Sequence, residues 1–496
     1  MKRILSLLLA LTLAFSVFSA CSEKTENAET AANEPTASDP SAASTPEEEE
    51  ETEPELVDLI PERDFEGYAF NYLAIETGIN GTTRFVDEMW VESETGDVIN
   101  DAVWRRNVLL EDRLNFKIGV TPSPEGSMAG RVKQAVTAGD DAYDLCGAYK
   151  STSMSCATEG LLLDWNCMGI DFSNPWWSQG AVEKLKIGKY QFLMSGNILI
   201  SEIDDTLAMT YNKGIVTDYG LEDIYSVVKE GRWTIDKFIE MTSAVSNDLN
   251  GDGEMKVGED LFGYVQDPAS MTNNWFFSCD LMNDGVGEDG VFDFNIDAER
   301  VQGMLDKLAP YFQTDNIFSG LDLYVGLTYF QENQIFVYAI ILRNVELLRE
   351  MEVDFGVIPY PMYDEAQGRY ITHVGSASPI LSIPLIHTEN NERAAAILDA
   401  MAMASRQYML PAYYESALKE KLARDPETAE MLDIITDCKT YDLSYLIGNG
   451  LISTAASMVT QGSTDFASKW AKMSKSNSKV MQKTIDKLFA AGEKQG

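Results

Sequence analysis

The sharpest chemical motif in the chain is Asp248-Leu249-Asn250-Gly251-Asp252-Gly253-Glu254-Met255-Lys256-Val257-Gly258-Glu259. It fits the pattern D-x-[DN]-x-[DN]-G-x5-E at every fixed position, which is the spacing of a calcium loop. Asp248, Asn250 and Asp252 would offer side-chain oxygens, Glu254 its backbone carbonyl and Glu259 a bidentate carboxylate, with Gly253 allowing the sharp turn. The expectation is a structural calcium ion; the competing reading is a solvated, Asx-rich turn. Lys256 stands at the ninth position and has to point outward. Helices do not flank the loop on both sides, so the ion would staple a turn and not act as a switch. Other chemistry has little raw material. Only two histidines occur, His373 and His387, and the cysteines after Cys21 (Cys146, Cys156, Cys167, Cys279 and Cys438) show no CxxC and no zinc spacing. Zinc sites and histidine-based nucleophiles are therefore poorly provided for. An odd count of five excludes complete internal pairing, and buried free thiols are expected. Pro175-Trp176-Trp177 could offer an aromatic platform, but its place ahead of the Lys189 segment fits core packing better.

The elements that must carry these groups alternate between strand and helix. Tyr68 to Leu73 reads as a strand, and Ile99, Val103, Leu110 and Leu114 share one face of a helix from about Asp97 to Leu114. A strand from Phe116 to Val120 follows, then a helix through Val132 to Ala138 stopped by Gly139, then a strand from Asp144 to Ala148. This order predicts α/β architecture with a largely parallel sheet, which places ligands at the carboxyl ends of its strands. Apolar periodicity in Ala394 to Met401 and Met431 to Ile435 reads as core. Residues 465 to 491 read as a pair of terminal amphipathic helices, with Trp470 and Phe489 inward.

The amino terminus has another purpose. Lys2 and Arg3 precede an apolar run from Ile4 to Phe18 that ends in Ser19-Ala20-Cys21, the pattern of a secretory signal over 1–20. Phe18-Ser19-Ala20-Cys21 resembles a bacterial lipobox, which implies cleavage before Cys21 and a diacylglycerol on its sulfur. The alternative is ordinary secretion with Cys21 as a free thiol. Residues 21–65 begin with a stretch rich in Glu, Thr, Ser and Pro, including Glu47 to Glu51, and are expected to be a disordered acidic tether. The net charge of -41 argues against nucleic acid and anionic lipid as partners. The remaining length exceeds what one core usually serves, so two domains are expected.

A resemblance to a family rests on short signatures in order. Asp144-Leu145 leads to Gly160-Leu161-Leu162; Gly188-Lys189-Tyr190 opens a further strand; Tyr211-Asn212-Lys213 ends another; Trp233-Thr234 starts a helix. Phe355-Gly356-Val357-Ile358-Pro359-Tyr360-Pro361 and Leu422-Ala423-Arg424-Asp425-Pro426 complete the series. Together they resemble the extracellular solute-binding proteins of ABC importers, family 1, of the maltose-binding type. The resemblance implies a two-lobed, periplasmic-binding-protein-like fold of type II whose lobes are joined by crossovers near 196, 377 and 421. Lobe 1 would combine 66–195 with 378–420, and lobe 2 would combine 196–377 with 421–496.

The resemblance also implies a non-catalytic, monomeric lipoprotein on the extracytoplasmic face of a bacterial membrane. It would close on a small solute, a carbohydrate or oligosaccharide, and deliver it to an ABC transporter permease. Asp205 then falls where relatives carry an acidic hinge residue facing ligand hydroxyls, and Tyr149 and Lys150 sit at the ligand-facing end of the Asp144 strand. Trp275 stands where relatives place a stacking aromatic. Arg343 occupies another aromatic position, which opens the way to an acidic sugar or other carboxylate. Each has a structural alternative: Trp275 with Phe276 and Phe277 as core, Arg343 paired with Glu346 or Glu350, Asp205 capping a turn. The rival functions are a surface carbohydrate-active hydrolase, which needs only two suitably spaced carboxylates, and a ligand sensor for a signalling receptor.

Overall fold

The computed structural model describes residues 55–78, 82, 84–267, 271–281, 285–293, 296–348, 350–386, 391–418, 425, 427–448 and 450–495. The signal sequence, Cys21, the acidic tether up to residue 54, His387 and all of the expected crossover at 422–426 except Asp425 lie outside the described residues. The strands that bear on the site are, in chain order, β1 (Tyr68–Ile75), β2 (Phe116–Ser123), β3 (Leu145–Tyr149), β4 (Leu207–Asn212), β5 (Phe262–Gln266), β6 (Ile317–Ser319), β7 (Ile335–Ile341), β8 (Phe355–Ile358) and β9 (Pro379–Ser382).

Local chemistry sets the ends of these elements. The helix Val98–Leu114 starts where Asp97 accepts a hydrogen bond from the Asn100 backbone N–H, and it stops at Asn115 in the left-handed region. The helix Met128–Ala138 ends at Gly139 with φ +66°, a conformation that suits glycine. Strands β3, β4 and β7 are buried along their whole length, so they read as continuous apolar runs covered on both faces.

These strands form two sheets, each with its own core. The first has the order β9-β3-β1-β2 and the second β8-β4-β7-β5-β6. Within the first, β1 pairs in parallel with both β2 and β3. Strand β9 runs antiparallel to β3, and in the second sheet β4 runs antiparallel to β7 and β8. The sheets are thus mixed. The reason is connectivity: β4 and β9 are the strands by which the chain enters a sheet after arriving from the other, and they enter from the opposite end. Phe70, Leu73, Leu145 and Ile380 lie in one apolar cluster, while Met209, Trp233, Phe238 and Val337 lie in another.

The crossing segments run side by side. Thr206 forms an antiparallel bridge with Val374, and the Gly375 N–H donates to Asp205 O at 2.8 Å. Residues 421–496, expected in the second lobe, contribute to both cores. Met431, Leu451 and Phe466 belong to the second cluster, and Met481, Ile485 and Leu488 to the first. The expected terminal helix pair is one continuous helix, Phe466–Glu493, because no proline or glycine interrupts it before Gly492. Residues 55–65, expected in the tether, already belong to the folded body: Leu56–Leu59 form a 3-10 turn, and Val57 and Ile60 are buried in the first core. Val57 and Ile60 give that segment apolar surface worth burying, while Leu59 stays exposed. The described cysteines are all unpaired; Cys146, Cys156 and Cys279 are buried. No described helix is long and apolar enough to cross a membrane.

Candidate functional site

A cavity of about 260 Å³ opens where the carboxyl end of β1, the carboxyl end of β7 and the crossing segments meet. Arg84 and Phe85 reach it from the short helix Arg84–Asp87 that follows β1. Arg343, Asn344 and Glu346 reach it from the 3-10 turn Leu342–Leu348, which continues directly from β7. Ser201, Asp204 and Asp205 come from the first crossing and Ala377 from the second. The place is the one that open α/β sheets reserve for ligands, outside the carboxyl ends of their strands.

Two ion pairs frame the cavity. Arg343 Nη1 lies 2.6 Å from Asp205 Oδ1, and Arg84 Nε lies 3.0 Å from Asp204 Oδ2. Asp205 is almost wholly buried, and its second oxygen accepts the Ala377 N–H at 2.8 Å. The backbone passes so close that a Cβ on Gly375 would meet Asp205 Oδ2 at 2.5 Å, so glycine is required there. Burial pushes the Asp204 carboxyl up to about 6 against the opposing charge of Arg84. Just behind, burial raises Glu88 to about 8, although its oxygens accept the Ser201 N–H at 2.8 Å and the Ser201 hydroxyl at 2.7 Å.

Three residues of the cavity lining carry a buried donor that has no acceptor. Arg84 Nη1, Arg343 Nε and Asn344 Nδ2 are buried and lack any hydrogen-bond partner among the described residues. A buried donor left without an acceptor costs about 1–3 kcal/mol, so such atoms are rare unless something else fills the place. Beside them Tyr324, at the start of the helix Leu323–Gln331, is 54% exposed and lines the same cavity.

The residues expected to bind ligand are thus distributed over three environments. Asp205 and Arg343 come together in the cavity, paired with each other. Lys150 is buried behind it, donating from Nζ to Gly375 O at 2.6 Å and Ser378 Oγ at 2.7 Å, and burial lowers its ammonium to about 8. It ties the first sheet to the returning crossover and is not part of the cavity lining. Tyr149, at the end of β3, packs edge-to-face on Phe85, itself a lining residue. Trp275 is 0% exposed, enclosed by Phe238, Tyr264, Phe312 and Tyr360 with its indole N–H on Gln266, and it offers no face to a ligand in this structure. The Trp176 and Trp177 indoles are also buried and both donate to Asp399 Oδ1.

The Asp248 to Glu259 loop closes on itself. Asp248 accepts the N–H groups of Gly251 and Gly253, Asn250 Nδ2 donates to Glu259 Oε2 at 3.0 Å, and the Lys256 ammonium sits 2.9 Å from Asp252 and 2.8 Å from Glu254. Convergence of Asn250 on Glu259 matches the third and twelfth positions of the pattern. Lys256, however, folds over the acidic side chains where it was expected to point outward. Among the described residues no three His, Cys, Asp or Glu side chains are gathered tightly enough to hold a metal ion.

Solved structures share this architecture. The galacto-N-biose/lacto-N-biose I-binding protein of an ABC transporter from Bifidobacterium longum, in complex with lacto-N-biose, superposes with a TM-score of 0.50 at 14% identity, covering 86% of this chain and 98% of that one. UspC from M. tuberculosis gives 0.50 at 11% identity over 83% and 100%. The chain has the fold of the ABC-transporter solute-binding proteins. No protein-family model and no curated protein matches the sequence.

The cavity residues that sequence reasoning missed include Arg84, Asp204, Tyr324 and Asn344, and Glu346 was foreseen only as a partner of Arg343, which pairs with Asp205 instead. A signal existed for Arg84. The strand-end rule that pointed to Tyr149 and Lys150 after β3 applies equally to the loop after β1.

Proposed function

We propose that this protein captures a small, neutral, polyhydroxylated solute, a carbohydrate, in the cavity between its lobes and passes it to an ABC transporter permease. The observation that carries the reading is the trio of unsatisfied donors on Arg84, Arg343 and Asn344 beside the carboxylates of Asp204, Asp205 and Glu346. A hydroxyl both accepts and donates, so a polyol can take hydrogen bonds from the first set and return them to the second. An acidic ligand suits the lining less well. Arg343 and Arg84 are already neutralised by Asp205 and Asp204, and Glu346 adds a further negative group. The volume lies below the usual range of about 300–1,000 Å³ for drug-sized ligands, which favours a solute of one or two rings. Tyr324 supplies an exposed aromatic face for a sugar ring.

In this reading the protein is a monomer held at the extracytoplasmic face through a lipid on Cys21, and it is not an enzyme. A hydrolytic role is disfavoured because both aspartates in the cavity are committed to arginines. The likeness of fold to a disaccharide-binding protein supports a binding role.

The test is a thermal-shift screen over mono-, di- and oligosaccharides, uronic acids and amino acids, with solution scattering of any hit. A ligand at about 100 times its Kd adds about 2.7 kcal/mol of stability by mass action. A neutral sugar that raises the midpoint and shrinks the radius of gyration is the expected result. Release of reducing ends would replace the reading with the hydrolase, and binding without compaction would favour the sensor.

A further inference from the structure

We propose that the terminal helix seats the folded body on an anionic phospholipid surface through a lysine face. Helix Phe466–Glu493 carries lysines at 469, 472, 475, 479, 483 and 487, with Lys494 directly after it, against Asp486 and Glu493. Steps of three and four residues keep all seven lysines within an arc of about 120° at 3.6 residues per turn. The opposite arc holds Phe466, Met481, Ile485, Leu488 and Ala491, all buried. The helix is therefore already fixed to both cores by its apolar side, and the lysine side faces out.

Each of these lysines is exposed, and none lies within ion-pair distance of a carboxylate among the described residues. Elsewhere the contrast is plain: Lys117, Lys133, Lys213, Lys237 and Lys307 each have an acidic partner within 3.0 Å. In a chain with 79 acidic and 38 basic residues, a helix face of unpaired cations is a segregated field. The net charge disfavours anionic lipid only as an average over the whole surface. Charges farther away than the Debye length of about 8–10 Å are screened, so a surface in contact with the helix responds to the lysines and little else.

A bilayer fits this face better than a protein or a nucleic acid. From Lys469 to Lys487 the stripe runs about 27 Å along one axis at 1.5 Å per residue, which matches a plane. On the same arc stand Asp486 and Glu493, so seven lysines face two carboxylates there, with Ser468, Ser476 and Ala490 between them; the face has none of the Arg, Tyr or Trp anchors that protein interfaces favour. Lysine is a compact point charge suited to diffuse phosphate, without the planar fork by which arginine recognises one group at fixed geometry. Because the apolar side is buried, adsorption is electrostatic and nothing inserts.

The test uses the chain from residue 22 onward, so that neither the apolar signal nor a lipid is present, and co-sedimentation with vesicles of phosphatidylcholine alone or mixed equally with phosphatidylglycerol. At ~50 mM salt the mixed vesicles should bind at least tenfold more protein, and the preference should vanish at ~500 mM. Lys472→Gln, Lys475→Gln, Lys479→Gln and Lys483→Gln combined should bring binding down to the phosphatidylcholine level, each lysine contributing about fivefold. An unchanged thermal midpoint would show that the variant is folded. Equal binding to both vesicles, or a variant that keeps its preference, overturns the proposal. So does a short DNA duplex that competes as well as phosphatidylglycerol. None of these outcomes depends on which solute the cavity holds.

Discussion

Asp205 and Arg343 are separated by 138 residues and meet on the wall of the cavity, so a double-mutant cycle on them probes the site at its joint. Arg343→Met would leave the Asp205 carboxylate buried with one remaining donor, the Ala377 N–H. Breaking a buried pair by deleting one partner costs about 3–5 kcal/mol. The Arg343 side chain is 25% exposed and the backbone donor persists, which places the loss near ~3 kcal/mol. Asp205→Asn keeps an oxygen for Ala377 and lifts the charge, at about 1–2 kcal/mol. The double variant has no charge to strand, so it should lose about 1–2 kcal/mol less than the sum of the two. For roughly 440 folded residues the unfolding entropy near 60 °C is about 0.9 kcal/mol/K, so the Arg343 variant alone should melt about 3 °C lower. Urea unfolding monitored by tryptophan fluorescence measures all three variants. Additivity within about 0.5 kcal/mol would mean that the pair does not support the crossing, and the account of the site would lose its frame.

Three further outcomes are expected. Trp275→Ala should destabilise by about 3–5 kcal/mol through the cavity it leaves, whereas Tyr324→Ala should change stability by less than about 0.5 kcal/mol yet weaken solute binding; the reverse pattern, read by thermal shift with and without sugar, would return Trp275 to the ligand. Glu88 has a folded value of about 8 against 4.5 in the unfolded chain, so the folded state holds a proton that the unfolded state has released between those limits. Its contribution to stability therefore grows as pH falls from 8 toward 4.5, and Glu88→Gln should flatten that dependence in melts across the range. For the Asp248 loop, calcium at about 100 times its Kd should add about 2.7 kcal/mol that a chelator removes, and Lys256→Ser should tighten binding by clearing the ammonium; melts that ignore both calcium and chelator would leave the loop as a turn closed by its own lysine.

Much of the frame was legible because it rests on local rules. The Asp97 start, the Gly139 stop and the runs that became β1, β2 and β3 follow from residue type and periodicity, whereas Asp205 and Arg343 came from the family resemblance and not from any local rule. What was missed depends on long-range proximity. Asp204 draws Arg84 across 120 residues, and neither side chain carries a motif. Trp275-Phe276-Phe277 could not be assigned from sequence, because a helix enclosed on all sides shows no polar face; only packing reveals that all three rings are buried. Lys150 follows β3 as expected, yet it turns toward Gly375 and Ser378, whose carbonyls and hydroxyl reach it only once the chain has returned from the second sheet.

The position of the unsatisfied donors also sets how strongly a solute can favour one arrangement of the lobes. Arg84 stands on the side of the first sheet, while Arg343 and Asn344 stand on the second, so no solute satisfies all three unless both sides reach it together. A hydrogen bond to a charged donor is worth about 1.5–3 kcal/mol and one to a neutral amide about 1 kcal/mol. A sugar held by the second side alone would forgo the Arg84 bond, and one held by the first side alone would forgo the other two. The difference between partial and full engagement is then about 1.5–4 kcal/mol, or about 10- to 1,000-fold in population. That range is enough to shift a two-state equilibrium but falls short of the ~5.5 kcal/mol needed to move it from 1:99 to 99:1. Either the unliganded protein already visits the closed form at several per cent, or Tyr324 and the carboxylates supply the rest. Arg84→Met separates these cases: it should weaken solute binding about 10-fold or more, and compaction on binding should fall with it if Arg84 is the contact that makes closure favourable.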